Sequence, residues 1–133
     1  MGNNYIKEFH VGRPNLPDKE KLLKRFSDVI DSGWITNDGP LVRELENKIA
    51  SYLGVKHCIC VCNATIGLEL VQRALNLGGE VIIPSFTFIA TANSLRWQKI
   101  DPVFCDIKPE DHLIDPTKIE ALITPKTSAI MAV

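Results

Sequence analysis

The residues best placed to do chemistry are Asn63-Ala64-Thr65, a short polar turn between an alternating run that ends at Cys62 and an apolar run of helical period. Where a strand passes into a helix through such a turn, the first helical N–H groups have no partner inside the helix. The helix dipole adds partial positive charge at the same spot. That combination binds anions, and phosphate above all. The Thr65 hydroxyl and the N–H groups of Thr65 and Ile66 would form the cradle. Asn and Thr are also routine helix N-caps, so residue type alone leaves cradle and cap both open. A second stretch tips the balance. Ser85-Phe86-Thr87-Phe88 follows the next apolar run, at the sheet edge where open α/β folds bind ligands. An aromatic there can stack on a planar ring, although capping the core is its bland alternative. A phosphate site and an aromatic at adjacent strand ends suit a phosphorylated aromatic cofactor.

Other chemistry finds little support. No G-x-G-x-x-G follows a strand, and no G-x-x-x-x-G-K-[ST], H-E-x-x-H or C-x-x-C pair is present. Cys58, Cys60 and Cys62 alternate, so on a strand they share one face. Zinc sites space their thiolates by two or more residues, not one, and core packing is the favoured reading of all three. No metal site is expected. His10, His57 and His112 are scattered and read as surface or satisfied residues, not as bases.

The elements that must position these residues follow from periodicity. Residues 17–32 carry Leu22, Leu23, Phe26, Val29 and Ile30 at helical spacing, with Gly33 to stop them. The loop 33–40 has glycine near each end and Trp34 within it; a packing plug is favoured over a contact surface. Pro40 opens a second helix. Its Leu41, Leu45, Ile49 and Leu53 share a face, Glu44 and Lys48 form an i,i+4 pair, and Gly54 ends it. Residues 56–62 read as a strand and 65–77 as a helix buried on more than one side. Residues 80–84 read as a short strand internal to a parallel sheet. Then come a helix over 88–97, a strand over 102–106, a turn at 109–111, a helix from Asp115-Pro116 to Leu122, and a strand over 128–133. The order β-α-β-α-β-α-β predicts a three-layer α/β fold with a mainly parallel sheet and right-handed crossovers.

The chain has 133 residues with 45% hydrophobic and 23% charged side chains, which is ordinary for a globular domain. Net charge is −1, from fifteen basic and sixteen acidic groups spread along the chain, so neither nucleic acid nor an acidic membrane is expected as a partner. No run reaches the length of a membrane span, and the first residues lack a signal-peptide core. With three of four cysteines on one strand, unable to pair easily, a reducing and hence cytoplasmic setting is expected. Residues 1–16 read as a polar arm, and residues 17–133 as part of a larger domain, since the last strand has no closing element after it.

Seven motifs in order carry a resemblance over residues 9–133. They are Gly33-Trp34-Ile35-Thr36 with Gly39-Pro40; Leu45-Glu46 with Ala50 and Leu53-Gly54-Val55; Asn63-Ala64-Thr65; the run Glu80 to Phe88; Ala90-Thr91-Ala92-Asn93; Pro102-Val103-Phe104 with Asp106-Ile107; and Ile123-Thr124-Pro125-Lys126-Thr127. Together they resemble the DegT/StrS-type nucleotide-sugar aminotransferases, which are pyridoxal-phosphate enzymes of the aspartate-aminotransferase fold (fold type I). The resemblance implies that this chain is the N-terminal part of the cofactor-binding large domain. It implies that Ala64, Thr65 and Ile66 hold the cofactor phosphate and that Phe88 stacks on the pyridine ring. Gly33, Trp34 and Thr36 would lie near the sugar. The substrate would be a keto sugar carried on a nucleotide, the amino donor glutamate, and the assembly a homodimer with the N-terminal arm packed on its partner.

The resemblance also places the Schiff-base lysine and the aspartate that pairs with the pyridine nitrogen beyond Val133. No catalytic residue is therefore assigned within this chain, Lys126 and Asp106 match other positions, and the chain alone is expected to be inactive. The turn 77–80 is shorter than the family's, and Gly67 stands where alanine is common; neither touches the proposed roles. Two other readings remain: a sugar dehydratase of the same fold, in which histidine replaces the lysine, and a non-catalytic protein that binds phosphate ligands or pairs its open sheet edge with another chain.

Overall fold

A computed structural model describes Gly12, Pro14 and residues 16–133. The expected N-terminal arm, and with it His10, lies almost wholly outside the described residues. The chain divides into two compact units, residues 1–58 and residues 59–133.

The first unit contains α1 (Lys19–Ser32) and α2 (Pro40–Leu53). Asp18 caps α1, its carboxylate accepting from the Lys21 N–H at 3.0 Å, so the helix begins two residues after the expected start. Pro40 occupies the first position of α2, where its missing N–H costs nothing. Gly33 and Gly54 end the two helices in the left-handed conformation. Neither helix has a buried residue. Arg25 of α1 forms a forked pair with Glu44 of α2 at 2.9 and 3.0 Å, and Lys48 joins the same carboxylate.

The second unit holds α3 (Ala64–Ala74), β1 (Glu80–Pro84), α4 (Ala90–Trp97), β2 (Asp101–Cys105), α5 (Pro116–Ile119, continued as a tighter turn to Leu122) and β3 (Thr127–Ile130). The sheet is parallel throughout, in the order β2-β1-β3. Central β1 is paired on both sides, and Val81, Ile82 and Ile83 are fully buried. Val81 and Ile83 point to one face, where they meet Ala92 and Leu95 of α4 and Ile100. A continuous apolar run was the correct signature of this strand.

Gly79 allows the chain to enter β1. Its φ is +65°, and a Cβ there would stand 2.4 Å from the Lys126 carbonyl oxygen. The neighbouring Glu80 N–H donates to that same oxygen at 2.9 Å. The backbone of the β3 approach thus lies directly against this turn.

Four expectations are corrected. Residues 56–62 form no strand, because no described strand offers them a ladder, and alternation without a partner is not a sheet. The sheet has three described strands, not four. With no strand to hold them, Cys58 and Cys60 are half-buried and Cys62 is exposed, so the three do not pack a core; Cys105 on β2 is the buried thiol. Helix α3 is not buried on several sides: Val71 and Leu75 are exposed, and Gln72 is its one buried residue.

Gln72 faces α4 through hydrogen bonds. Its amide donates to the Ser94 hydroxyl at 2.8 Å, and Ser94 donates to the Thr91 carbonyl at 3.1 Å. The Gln98 amide donates to the Gln72 side-chain oxygen at 3.0 Å and to the Glu69 carbonyl at 2.7 Å. No buried side-chain polar atom lacks a partner among the described residues.

Candidate functional site

The first turn of α3 carries the N-cap that its sequence suggested. Asn63 is extended, with φ −164° and ψ 167°, and its side-chain oxygen accepts from the Ile66 N–H at 2.9 Å. Its carbonyl accepts the first intrahelical bond, from Gly67 at 3.1 Å. The cap therefore holds one of the three N–H groups that a phosphate would use. The N–H groups of Ala64 and Thr65 precede any possible intrahelical acceptor and remain available, with the Thr65 hydroxyl beside them. The Asn63 amide also donates to Cys62 Sγ at 3.5 Å, and Val61 Cγ2 lies 3.5 Å from where a Gly67 Cβ would stand. Residues 61–62 thus run close against the helix start without being a strand.

The second part of the site leaves β1 at its C-terminal end. The Ser85 N–H donates to the Cys105 carbonyl at 2.8 Å, which carries the ladder one residue past the strand. Phe86 lies against His112, with ring centroids 5.7 Å apart and planes at 47°. His112 is held there at φ +59° in the turn after β2. Thr87 and Thr91 share a hydroxyl–hydroxyl bond of 2.8 Å, and the Thr91 N–H donates to the Phe88 carbonyl at 3.0 Å. The Phe88 backbone is thereby fixed while the residue as a whole is 78% exposed. An exposed aromatic on a fixed backbone is not capping a core in this chain, and it can offer its face to a planar ligand.

Ala64, Thr65, Ile66 and Phe88 all belong to the second unit, on two separate elements, and no hydrogen bond or ring contact joins Phe88 to α3 among the described residues. A groove on the flank of α3, lined by Ile66, Glu69, Leu70, Arg73 and residues 97–99, reaches Ile66 but neither Thr65 nor Phe88.

Gly33, Trp34 and Thr36 lie in the first unit. Trp34 is 45% exposed and so is not the buried plug that its residue type favoured. Its ring N–H donates to the Asn37 carbonyl at 3.2 Å, its backbone N–H to the Ser32 hydroxyl at 3.1 Å, and the Arg43 guanidinium lies 6.0 Å from its ring centroid. Asp38 holds Arg43 in turn, with bonds of 3.0 and 2.6 Å. Gly33, at φ +66°, starts the loop by ending α1. Trp34 and Thr36 line a groove of about 350 Å³ with Val29, Ile35, Gly39 and Leu41. The loop is therefore a braced, half-open surface with an aromatic wall.

Nucleophilic alternatives are weak. The Cys105 thiol is fully buried, and burial pushes its pKa up, with Asp115 and Asp106 adding to the rise. Lys118 is bound to Asp106 at 2.9 Å, which raises the pKa of the lysine and keeps it protonated. No group of three potential metal ligands occurs among the described residues, and no described helix is long and apolar enough to cross a membrane.

Comparison with known proteins gives this arrangement a context. The profile of the DegT/DnrJ/EryC1/StrS aminotransferase family matches residues 17–133. The dTDP-4-amino-4,6-dideoxy-D-glucose transaminase of Escherichia coli is 41% identical over 127 residues, which cover 96% of this chain and 34% of that protein. Among solved structures, DesI in the presence of its TDP-sugar product superposes with a TM-score of 0.84 at 48% identity, over 92% of this chain and 31% of DesI. NtdA of Bacillus subtilis with bound cofactor PMP superposes with a TM-score of 0.81 at 33% identity, over 85% of this chain and 26% of NtdA. The chain spans about a third of the length of the relatives it matches.

Proposed function

This chain belongs to the DegT/DnrJ/EryC1/StrS aminotransferase family, and from that premise we propose that it supplies the phosphate-binding and ring-stacking part of a pyridoxal-phosphate site in a nucleotide-sugar aminotransferase. One observation carries the reading. The α3 helix opens with two N–H groups and a hydroxyl available, and the same unit presents an exposed Phe88 ring on a fixed backbone. The residues present fit the cofactor at both ends: a dianion at a helix start, and a flat ring against an aromatic.

Ala64 and Thr65 would bind the phosphate through their N–H groups, and Thr65 through its hydroxyl as well. Ile66 would join them by exchanging the Asn63 oxygen for a phosphate oxygen, so that the helix start is satisfied with or without the cofactor. Phe88 would cover one ring face, fixing the tilt and keeping water from that side. When bound, pyridoxal 5′-phosphate supplies the electron sink through which an amino group moves; the chain supplies orientation and charge. Gly33, Trp34 and Thr36 would border the sugar, with Trp34 as an apolar wall. Glutamate is the proposed amino donor, a homodimer the proposed assembly and the cytoplasm the proposed setting. Residues 17–133 are proposed as part of the large cofactor domain.

The test uses the complete gene product, incubated with pyridoxal phosphate, glutamate and a panel of nucleotide-linked keto sugars. Mass spectrometry should find the sugar's carbonyl oxygen replaced by an amino group, with 2-oxoglutarate formed in equal amount. Loss of oxygen without gain of nitrogen would replace the transaminase reading by the dehydratase one. A protein that binds the cofactor and changes no nucleotide sugar would sink both.

A further inference from the structure

All three buried polar side chains of the described residues, Gln72, Thr91 and Ser94, belong to one hydrogen-bonded chain. It starts at α3, where Gln98 holds both the Glu69 carbonyl and the Gln72 side-chain oxygen. It crosses to α4 by the 2.8 Å bond from Gln72 to Ser94, and Ser94 fixes the Thr91 carbonyl. Thr91 then holds the β1–α4 loop twice, through its N–H to the Phe88 carbonyl and through its hydroxyl to Thr87. The two ends of this chain are the helix that opens with Ala64-Thr65-Ile66 and the loop that carries Phe88.

Apolar contact between two helices is non-directional and lets them slide. Hydrogen bonds of 2.7–3.1 Å do not, and a fully satisfied buried network specifies one geometry. Helix α3 buries no apolar side chain fully, Leu68 being half-buried and Gln72 its one buried residue, so this network is what gives its contact with α4 a direction. Gln72 is also suited to its place by function: one carboxamide donates to Ser94 and accepts from Gln98 at once.

We propose that Gln72 and Ser94 are positioning residues of the cofactor site, setting the place of the phosphate-binding helix start relative to the Phe88 ring. The inference rests on the cofactor reading above. Neither residue touches the cofactor; each acts through α3 or through Thr91 and the loop behind Phe88.

The experiment compares the complete protein with its Gln72→Met and Ser94→Ala variants. Pyridoxal phosphate affinity is measured by equilibrium dialysis, and the circular dichroism induced in the saturated cofactor reports its tilt. Each variant removes two bonds of the network, should weaken binding about fivefold or more, and should change the induced signal at saturation. Leu95→Ala serves as the structural control: it loosens the core beside α4 without touching the network. It should lower the thermal midpoint of the apoprotein and leave the saturated signal as in wild type. Gln72→Met and Ser94→Ala proteins with wild-type affinity and wild-type signal would overturn the positioning role. If Gln72→Met does not fold, Ser94→Ala, which removes one oxygen, decides alone. A wild-type protein that binds no pyridoxal phosphate would overturn the cofactor reading itself, and the positioning role with it.

Discussion

In residues 1–58 neither described helix buries a residue, and the side-chain bond that joins α1 to α2 is between charges, Arg25 and Glu44, with Lys48 bound to the same carboxylate from within α2. In residues 59–133 a central strand is buried along almost its whole length, and a satisfied polar network crosses between two helices. The first unit is written in local signals, namely the Asp18 cap, Pro40 at a helix start, and Gly33 and Gly54 at helix ends. The second is written in long-range ones. Local signals tell a chain where a helix begins and ends, but they supply little free energy against the cost of ordering it. The two candidate site parts inherit this difference: Phe88 follows the buried strand β1 and Thr65 opens the helix that Gln72 ties to α4, whereas Trp34 stands on a loop braced by Asn37, Ser32 and Arg43.

The largest expected effect would come from the core. Leu95 is fully buried against Val81, Ile83 and Ile100, so Leu95→Ala should cost about 3–4 kcal/mol. Trp97 lies in the second unit and Trp34 in the first, which allows each unit to be read by a single-tryptophan variant in urea. With Trp34→Phe as background, the Trp97 transition should move to lower urea by that amount. With Trp97→Phe as background, the Trp34 transition should stay where it was. Equal shifts at both probes would mean that the units unfold as one, and the contrast between them would collapse.

Glycine gives a sharper version of the same comparison, because each unit has one at nearly the same positive φ. Gly54 has φ +66° and open space around a would-be Cβ. Gly79 has φ +65° and the Lys126 carbonyl oxygen 2.4 Å from that position. Gly54→Ala should cost about 1 kcal/mol, the left-handed backbone penalty alone. Gly79→Ala should cost about 2–3 kcal/mol, since the backbone of the β3 approach must also retreat and weaken the Glu80 bond. Thermal melts of the two variants would compare them, and equal losses would show that the close approach carries no weight.

Much of this was legible in the sequence where one residue acts on its own neighbours. The helix ends at Gly33 and Gly54 and the Pro40 start are set by φ and by missing donors, and they fall where expected. β1 was legible because a strand buried on both faces is apolar without alternation. Residues 56–62 had the alternation of a strand, but pairing is decided by a partner elsewhere. The Asn63 turn was legible as a choice between cap and cradle, and the capping bond to Ile66 shows that the first role is filled. Gln72 was not legible at all. A glutamine in an amphipathic helix reads as solvent-facing until Ser94, twenty-two positions on, is placed against it. That Phe88 is exposed and Trp34 half-exposed is likewise a property of surroundings, not of residue type.

The smallest effect expected is electrostatic, and it tests whether the charge in the first unit matters. Glu44 accepts from Arg25 and from Lys48, and these bonds lower its pKa from 4.5 to about 2; the same pair raises Arg25. A carboxylate whose folded pKa lies below its unfolded value stabilises the fold above the unfolded value, and that contribution fades as pH falls toward the folded one. The window is therefore from about 4.5 down to about 2. Arg25 is exposed and Glu44 partly so, and water and salt therefore screen the pair and the effect should be modest. Wild type and Glu44→Gln should be compared by far-ultraviolet circular dichroism during thermal melts at low salt across that window. The gap between their midpoints should be greatest above the window, narrow within it, and shrink at all pH values when salt is added. A constant gap would mean that the forked Arg25–Glu44 bond is geometry without energy, and the first unit would then owe its two helices to their caps and to whatever covers their exposed apolar faces.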